Sequence, residues 1–376
     1  MGVAAAFSQT EMTRAVELAR RALSWLPVFR TPDYSRLYVG GDKAGWVLDW
    51  EMRELAGVCA RLGVEAHVLA SLPGPDRQCL FLAHSGSLEW ALRAKRRRRL
   101  GASYFHGRPD PREPWAAERL AMLARLHEDV DRLQVTNTAF RDVILETGIS
   151  PAKVFLIPIG VNLDFFPPQT PGSRRAAREA RGIPDSAVVV GSFQKDGVGW
   201  GDGLEPKLVK GPDVLLGTLA ILRQRVPELW VLLSGPSRGY VKAGLERLNI
   251  PYTHVRLDDY TEMGRLYDCL DTYIVSSRDE GGPKAVLESM ATGVPLVTTR
   301  VGQAADLVEH GKNGWMVDVD DADGLADWAF HALELRSSLD AVMARARQTA
   351  ELNSYRALDP LWRDLLSGFV APAGDT

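Results

Sequence analysis

Short β-type runs alternate with helical segments along almost all of this 376-residue chain, and this alternation most constrains its fold. A strand, a helix and a further strand favour parallel pairing, because the helix carries the chain back across the sheet. The alternation breaks once, at 167–186, where six Pro and Gly residues bracket a basic helical piece over 174–181. We therefore predict an α/β protein with two open parallel sheets joined near residue 170. The predicted strands are 37–39, 66–70, 79–83, 103–105, 133–136 and 154–157 before the break, and 188–190, 230–233, 253–256, 272–275, 296–298 and 315–317 after it.

The length of the chain also supports two domains, since single hydrophobic cores stop growing near about 250–300 residues. We expect one Rossmann-like domain over 1–170 and a second over 171–355. A C-terminal helix within 356–376 is expected to pack back towards the first domain. Ligands of open α/β sheets bind at the carboxyl ends of the strands, so we expect a site between the two halves.

Composition excludes several classes of protein. Apolar residues make up 45% and charged residues 25%, which is typical of a soluble globular protein. The net charge of −3 argues against general nucleic-acid binding. Three widely spaced cysteines form no disulfide framework or zinc motif, which favours the reducing cytoplasm. No apolar run reaches the ~18 residues that cross a bilayer.

The densest functional signal lies in residues 276–317. A predicted strand ends there, the turn 280–283 (EGGP) follows, and a helix is predicted to begin near Lys284. Glycines let the backbone approach a ligand, Pro suits a first helical turn, and amides at a helix start bind hydroxyls or phosphate oxygens. Glu280 lies in the turn and Glu288 about two helical turns later. Such a pair can hold two ends of one elongated ligand rather than share a proton.

This segment resembles the retaining GT-B glycosyltransferases of family 4, the group 1 glycosyl transferases. The resemblance implies an α/β GT-B architecture, in which two Rossmann-like domains with parallel sheets face a central cleft. The first domain would bind the acceptor and the second the nucleotide-sugar. The matching features are Glu280 and Glu288 in E-x7-E spacing, ATGVPLV, GQAADLV, Gly160-Val161-Asn162-Leu163 with Phe166, His106-Gly107, and Lys210-Gly211.

The resemblance also implies roles for individual residues. His106 would line the donor sugar near the anomeric carbon, and Lys210 would neutralise the pyrophosphate. Glu280 would hold hydroxyls of the donor sugar, and Glu288 those of the ribose. No metal ligands and no cofactor are expected. The expected donor-binding set is Gly41, Gly45, Gly281, Gly282, Pro283, Lys284 and Glu288.

One departure from the family pattern concerns the phosphate partner. The family usually places an arginine directly after the first strand of the second domain, in a G-R sequence. Here that strand ends Gly191-Ser192, and a long glycine-rich loop leads to Lys210. We expect Lys195, with Lys207 behind it, to supply the missing cation. A lysine is a point charge without the arginine fork, so the phosphate contact would depend on how the loop closes.

Several of these residues have ordinary structural explanations. His106 at a strand end fits a core histidine as well as a ligand contact. Lys284 fits either a solvent-facing lysine or recognition of a carboxylated or phosphorylated sugar. The acidic residues of 318–323 lack the register of a calcium loop and are interpreted as opening a helix over 324–335.

The strongest charge run is Lys95, Arg96, Arg97, Arg98 and Arg99, which we place at the end of a helix. A solvated helix end is one interpretation, because cations are favoured at a helix C-terminus. The alternative is an anionic partner, either a membrane surface or a lipid- or polyphosphate-bearing acceptor.

Together these features predict a retaining glycosyltransferase. It would move a sugar from a UDP- or GDP-sugar to a hydroxyl of a glycan, glycolipid or small-molecule acceptor, in synthesis of cell-surface polysaccharide or glycoconjugate. We expect it in the cytoplasm, with peripheral contact to the inner face of the membrane as a further expectation. A nucleotide-sugar epimerase and a non-catalytic nucleotide-sugar binder are the alternatives.

Overall fold

The strands of this computed structural model form two parallel sheets. The structure describes residues 34–40, 47–69, 79–82, 99–105, 108, 114–335 and 338–371. The described strands follow the orders β2-β1-β3-β4-β5-β6 and β12-β11-β10-β7-β8-β9. The predicted α/β fold with two parallel sheets is therefore confirmed. The strands are β1 (Arg36–Gly40), β2 (Glu65–Val68), β3 (Cys79–Leu82), β4 (Arg99–Tyr104), β5 (Arg132–Val135), β6 (Val154–Leu156), β7 (Val188–Ser192), β8 (Leu229–Ser234), β9 (Tyr252–Val255), β10 (Thr272–Val275), β11 (Leu296–Thr299) and β12 (Trp315–Val317).

Helices connect most of these strands, as parallel pairing requires. Among the described helices, none is both long and apolar enough to cross a membrane. They are α1 (Val47–Arg61), α2 (Pro114–Leu126), α3 (Thr138–Leu145), α4 (Pro171–Glu179), α5 (Pro212–Arg225), α6 (Gly239–Arg247), α7 (Gly264–Tyr267), α8 (Lys284–Thr292), α9 (Gly302–Leu307), α10 (Ala322–Glu334), α11 (Asp340–Leu352) and α12 (Asp359–Leu366).

The chain divides into two compact units. The first contains the described residues up to Ala102, residues 129–132 and the segment from Leu366, and the second contains the described residues of 103–128 and 133–365. In the first unit, the C-terminal segment is tied to β3 and β4. The carbonyl of Phe369 accepts from Arg99 Nη1 at 2.8 Å and from Cys79 Sγ at 3.3 Å.

The placement of Arg99 corrects one prediction. Arg99 begins β4 instead of ending a helix. Its guanidinium lies 4.0 Å from the centroid of the Tyr34 ring and donates to Phe369. Arg99 therefore packs against other residues of the first unit and does not lie at a solvated helix end. Residues 95–98 lie outside the described residues.

The second sheet separates two apolar cores. Successive strand residues point to opposite faces, so Val189 and Tyr273 enter one core while Val190 and Ile274 enter the other. Burial on both faces explains the continuous apolar runs of these strands. The carboxyl ends of β7 and β10 emerge side by side, because the two strands pair directly.

The segment 167–186, where the alternation of strands and helices breaks, contains the helix α4. Thr170 and Ser173 form a capping box at the start of α4. The buried Arg178 Nη2 lies 2.7 Å from Asp271 Oδ2, and Arg174 Nη2 lies 2.6 Å from Asp271 Oδ1. Asp271 also accepts from the Val189 amide of β7 at 2.7 Å. The basic charges of this segment therefore fix α4 to the start of the second sheet.

The acidic segment 318–323 opens a helix, as interpreted from the sequence. The side chain of Asp321 caps α10 by accepting from the Gly324 amide at 2.8 Å. Asp320 Oδ1 instead lies 2.5 Å from Arg278 Nε. The acidic side chains of this segment thus contact both the start of α10 and Arg278, which follows β10.

We expect Asp271→Ala to lower the free energy of unfolding by about 3–5 kcal/mol, because it leaves the guanidinium of Arg178 buried without its partner. Asp327→Ala is the matched control, since the Asp327–Arg225 pair has a similar length (2.5 Å) but is largely exposed. That control should cost less than about 1 kcal/mol. Urea unfolding of both variants measures the difference, and equal losses would contradict the structural role of Asp271.

Candidate functional site

The EGGP turn joins β10 to α8, and hydrogen bonds to the carbonyl of Gly281 hold it in place. The carbonyl of Gly281 accepts from Thr136 Oγ1 and Asn137 Nδ2, each at 2.8 Å, and from the Gln303 amide at 3.1 Å. A Cβ on Gly281 would lie 1.5 Å from the Phe105 carbonyl oxygen. This glycine is therefore required for packing of the turn, whatever its amide binds.

Gly282 and Pro283 complete the turn as the sequence suggested. A Cβ on Gly282 would lie 2.8 Å from both Gln303 Oε1 and Ile159 Cδ1. Pro283 occupies the N-cap position, and α8 begins at Lys284. The two glycines and the proline therefore form a tight turn directly before the helix that carries Glu288.

Glu280 and Lys210 form a buried ion pair. Lys210 Nζ lies 2.6 Å from Glu280 Oε2, and the two side chains are 14% and 7% exposed. The hydroxyl of Ser277 lies 3.0 Å from Glu280 Oε1 and 3.1 Å from Gln194 Oε1, and Gln194 Nε2 donates to the Lys210 carbonyl at 2.7 Å. The four residues close a polar ring at the carboxyl ends of β7 and β10.

The backbone before α5 brings Lys210 to this ring. Residues Leu208–Lys210 form a 3-10 turn, and Gly211 follows with a φ of 60°. A Cβ on Gly211 would lie 1.9 Å from the Ser276 carbonyl oxygen, and the Ser276 hydroxyl donates to the Gly211 carbonyl at 2.9 Å. The left-handed glycine and the close approach to β10 together place Lys210 beside Glu280.

Lys195 belongs to the same end of the sheet. Its ammonium lies 4.3 Å from the centroid of the Trp200 ring. Burial lowers the pKa of Lys195, and the positive charge of Lys210 lowers it further. The positive charges of the two predicted lysines therefore act on one another. Lys207 lies at the far end of the loop, where its amide donates to the Asp196 carbonyl at 2.8 Å.

Glu288 is held by two tyrosines that the sequence did not single out. Its carboxylate is buried and accepts from the hydroxyls of Tyr260 and Tyr267, the latter at 2.9 Å. Burial raises the pKa of Tyr267 well above its usual value, so its hydroxyl remains a donor. Tyr267 also stacks on Tyr273 with a centroid distance of 5.4 Å. No local spacing signals these contacts, because the tyrosines precede Glu288 by 28 and 21 residues.

Lys284 is partly buried rather than solvent-facing. Its ammonium donates to the Tyr355 hydroxyl at 2.9 Å and lies 5.4 Å from the ring centroids of both Tyr355 and Tyr260. Tyr260 therefore contacts Lys284 with its ring and Glu288 with its hydroxyl. Lys284 and Glu288, one helical turn apart on α8, thus share Tyr260 as a neighbour.

Ser192 stands where the family pattern places an arginine, and a different arginine contacts it. Arg238 Nη1 donates to the Ser192 carbonyl at 2.6 Å. Arg238 Nη2 lies 3.0 Å from Asp196 Oδ2, and both side chains are fully buried. This guanidinium fixes the start of the loop that carries Lys195 instead of facing solvent.

Three predicted site residues, His106, Gly41 and Gly45, lie outside the described residues. Phe105, directly before His106, is described and contacts the EGGP turn at Gly281. Among the residues that the structure describes, no group of three or more His, Cys, Asp or Glu side chains is arranged to hold a metal ion.

Comparison with known families identifies the second sheet and its helices. Residues 203–334, which include Lys210, Glu280 and Glu288, match the sequence model of the family described as Glycosyl transferases group 1. The family resemblance predicted from the EGGP segment is thereby confirmed.

Curated relatives of this chain carry one recurrent name. The chain is 31% identical over 267 residues to the D-inositol 3-phosphate glycosyltransferase of Saccharomonospora viridis, covering 65% of this chain and 58% of that protein. It is 30% identical over 230 residues to the enzyme of that name from Mycobacterium tuberculosis, covering 58% and 44% of the two chains. The chain thus spans about half the length of the curated relatives it matches.

Solved structures support the GT-B fold. Anabaena HepE in complex with UDP and glucose superposes with a TM-score of 0.70 at 17% identity, covering 89% of this chain and 99% of HepE. Sucrose-phosphate synthase from Thermosynechococcus elongatus superposes with a TM-score of 0.69 at 19% identity, covering 89% and 100%. At such low identity the likeness concerns the fold, which is the GT-B fold expected of a group 1 glycosyl transferase.

We expect Tyr267→Phe to lower the free energy of unfolding by about 1–3 kcal/mol, because the buried Glu288 carboxylate loses one donor. Tyr252→Phe is the matched control. It removes a hydroxyl that donates at the same 2.9 Å to the exposed carboxylate of Glu246, which water can solvate instead. Denaturant unfolding compares the two, and a loss in Tyr252→Phe as large as that in Tyr267→Phe would contradict the role of burial.

Proposed function

We propose that this chain is a glycosyltransferase that moves a sugar from a nucleotide-sugar donor to a hydroxyl acceptor. The observation that carries the proposal is the Lys210–Glu280 ion pair at 2.6 Å, formed at the start of the turn and helix that carry Glu288. It places a cation and two carboxylates at the strand ends where open α/β sheets bind ligands. The group 1 family match over these same residues supports the same activity.

The nucleotide-sugar donor is supported by the neighbours in structure. HepE has been solved in complexes with UDP and with UDP-glucose, and its fold superposes on most of this chain. In our proposal Glu288 accepts from the ribose hydroxyls, and Glu280 accepts from hydroxyls of the transferred sugar. Gly281, Gly282, Pro283 and Lys284 form the wall next to that sugar. The roles of Gly41, Gly45 and His106, which lie outside the described residues, stay predictions from the family resemblance.

The proposed reaction retains the anomeric configuration. The bond between the anomeric carbon and the diphosphate oxygen breaks, and a bond to the acceptor oxygen forms on the same face. The acceptor proton passes to the leaving diphosphate oxygen. Negative charge grows on that diphosphate, and Lys210 and Lys195 stabilise it where fixed positive charge is most effective. In this proposal the two lysines take the role that a bound metal would otherwise have.

The acceptor is proposed by class only. The curated relatives are named for D-inositol 3-phosphate, which is a phosphorylated small-molecule alcohol. A glycan or glycolipid used in cell-surface polysaccharide synthesis is the other class that the family resemblance suggests. Cytoplasmic placement, and contact of Lys95, Arg96, Arg97 and Arg98 with an anionic membrane, remain hypotheses. Arg99 is left out of that hypothesis because it packs within the first unit.

A screen of UDP-, GDP-, ADP- and dTDP-sugars tests the proposed function. One donor should raise the melting temperature and undergo slow hydrolysis without acceptor. An epimerase would instead convert the donor sugar to its epimer without acceptor, and a non-catalytic binder would be stabilised without any turnover. The proposal would be overturned if no donor raises the melting temperature and none is hydrolysed or transferred.

We expect Glu288→Ala to weaken binding of the selected nucleoside diphosphate by about 1.5–3 kcal/mol, the usual value for hydrogen bonds to a charged group. This corresponds to a roughly ten- to 150-fold higher Kd. Glu246→Ala is the control, because Glu246 also accepts from a tyrosine hydroxyl but on an exposed surface. Calorimetry measures both affinities, and an unchanged Kd in folded Glu288→Ala would remove Glu288 from the site.

We expect Lys210→Ala and Lys195→Ala to lower kcat far more than they weaken binding of the free nucleoside, because the charge they meet develops on the leaving group. Lys312→Ala, which removes an exposed lysine paired with Glu309 at 2.8 Å, should leave both quantities unchanged. Steady-state kinetics and nucleoside calorimetry separate the effects. Equal losses with nucleoside and with diphosphate would contradict the assignment of the two lysines.

A further inference from the structure

We propose that Trp200 is a positioning residue that holds the ammonium group of Lys195 next to Lys210, so that both positive charges face the diphosphate of the donor. This inference rests on the proposed function. It assigns a role to the glycine-rich loop between β7 and α5.

The contact between Lys195 and Trp200 is direct. The ammonium lies 4.3 Å from the ring centroid, within the range of a cation–π interaction. Lys195 directly follows Gln194, whose side chain donates to the Lys210 carbonyl at 2.7 Å, so the two lysines belong to the same cluster of residues. Two like charges repel, and a lysine side chain has enough rotatable bonds to move away. The negative face of the indole ring provides an attraction that opposes this movement.

The loop that carries Trp200 is fixed at both ends. Gly197 and Pro206 form an antiparallel bridge, and the Val198 amide donates to the Glu205 carbonyl at 3.0 Å. The start of the loop is anchored by the buried Asp196–Arg238 pair.

The middle of the loop is anchored to the beginning of α6. The Ser237 hydroxyl donates to the Gly199 carbonyl at 2.7 Å, and Asp202 Oδ2 lies 2.6 Å from Lys242 Nζ. The backbone on both sides of Trp200 is therefore held by contacts within the second unit.

Core packing does not explain Trp200. Its side chain is 54% exposed, alongside Val198 at 46% and Leu204 at 67% in the same loop. Exposed apolar surface contributes little to stability, since the hydrophobic effect scales with the area removed from water. An exposed indole on an anchored loop, with a lysine over its face, is better explained by its effect on that lysine.

The consequence for the reaction is preorganisation of Lys195. Without the indole, the ammonium would have to be fixed at the moment when charge develops, and the side chain would lose rotamer freedom then. An exposed cation–π contact is worth about 0.5–1 kcal/mol, which corresponds to a roughly two- to fivefold change in rate. Trp200→Ala should therefore lower kcat two- to fivefold with a smaller effect on KM.

A double-mutant cycle tests this role. Trp200→Ala should lower kcat in the wild-type background and have no further effect in the Lys195→Ala background. Trp200→Phe, which keeps an aromatic face, should restore part of the loss. Leu204→Ala is the matched control, because it removes another exposed apolar side chain from the same loop. An additive cycle, or an equal loss in Leu204→Ala, would overturn the inference.

A second measurement keeps the inference separable from the proposed function. In protein labelled with ¹³C-lysine, the ε-methylene resonance of Lys195, assigned with Lys195→Arg, should show the ring-current shift of the indole and lose it in Trp200→Ala. An unchanged resonance would overturn the inference even if sugar transfer is active. Loss of the shift in a protein that neither binds nor turns over any donor would support the positioning of Lys195 while overturning the proposed function.

Discussion

The close approach of backbone segments at a few glycines is the constraint on which the site depends. A Cβ would lie 1.5 Å from a carbonyl oxygen at Gly281, 1.9 Å at Gly211 and 2.2 Å at Gly302. Those three carbonyls belong to Phe105, Ser276 and Glu280. Because a Cβ never approaches another atom so closely, these positions must remain glycine for the EGGP turn, the lysine turn and the start of α9 to meet. The charged groups are close together because the backbones are.

Local patterns were sufficient to predict the fold and the elements that carry the proposed site. The runs 272–275 and 315–317 coincide with β10 and β12, since each is a buried strand bounded by polar or turn residues. The beginning of α8 at Lys284 follows from Pro283 and the two glycines before it. Glu280 and Lys210 were predicted from sequence resemblance to the family, and the structure brings them to 2.6 Å.

Contacts between distant residues were not predictable in this way. Tyr260 and Tyr267 reach Glu288 through the packing of an aromatic cluster, and nothing in the 21 or 28 intervening residues indicates it. Thr136 and Asn137 bind a carbonyl more than 140 residues later. Arg99 was misplaced because its four basic neighbours suggested one continuous helix end, whereas its partners come from the C-terminal segment, 270 residues away.

In the proposed function, two lysines replace the arginine that the family pattern places after β7. The guanidinium of Arg238 does not take this role, because it donates to the Ser192 carbonyl and lies beside Asp196 inside the protein. The proposed phosphate-binding cations are Lys210 and Lys195, and the ammonium of a lysine can move from a protein partner to a phosphate oxygen. Lys210 is paired with Glu280 and Lys195 lies over Trp200, so both charges have partners in the protein before any anion arrives. In the proposed function, a diphosphate would compete with the Glu280 carboxylate for Lys210. The contact of Lys195 with the Trp200 ring is weak, since a cation–π contact at an exposed position is worth only about 0.5–1 kcal/mol, and it does not neutralise the positive charge. Lys195 would therefore keep its charge for the diphosphate while the ring holds its ammonium in place.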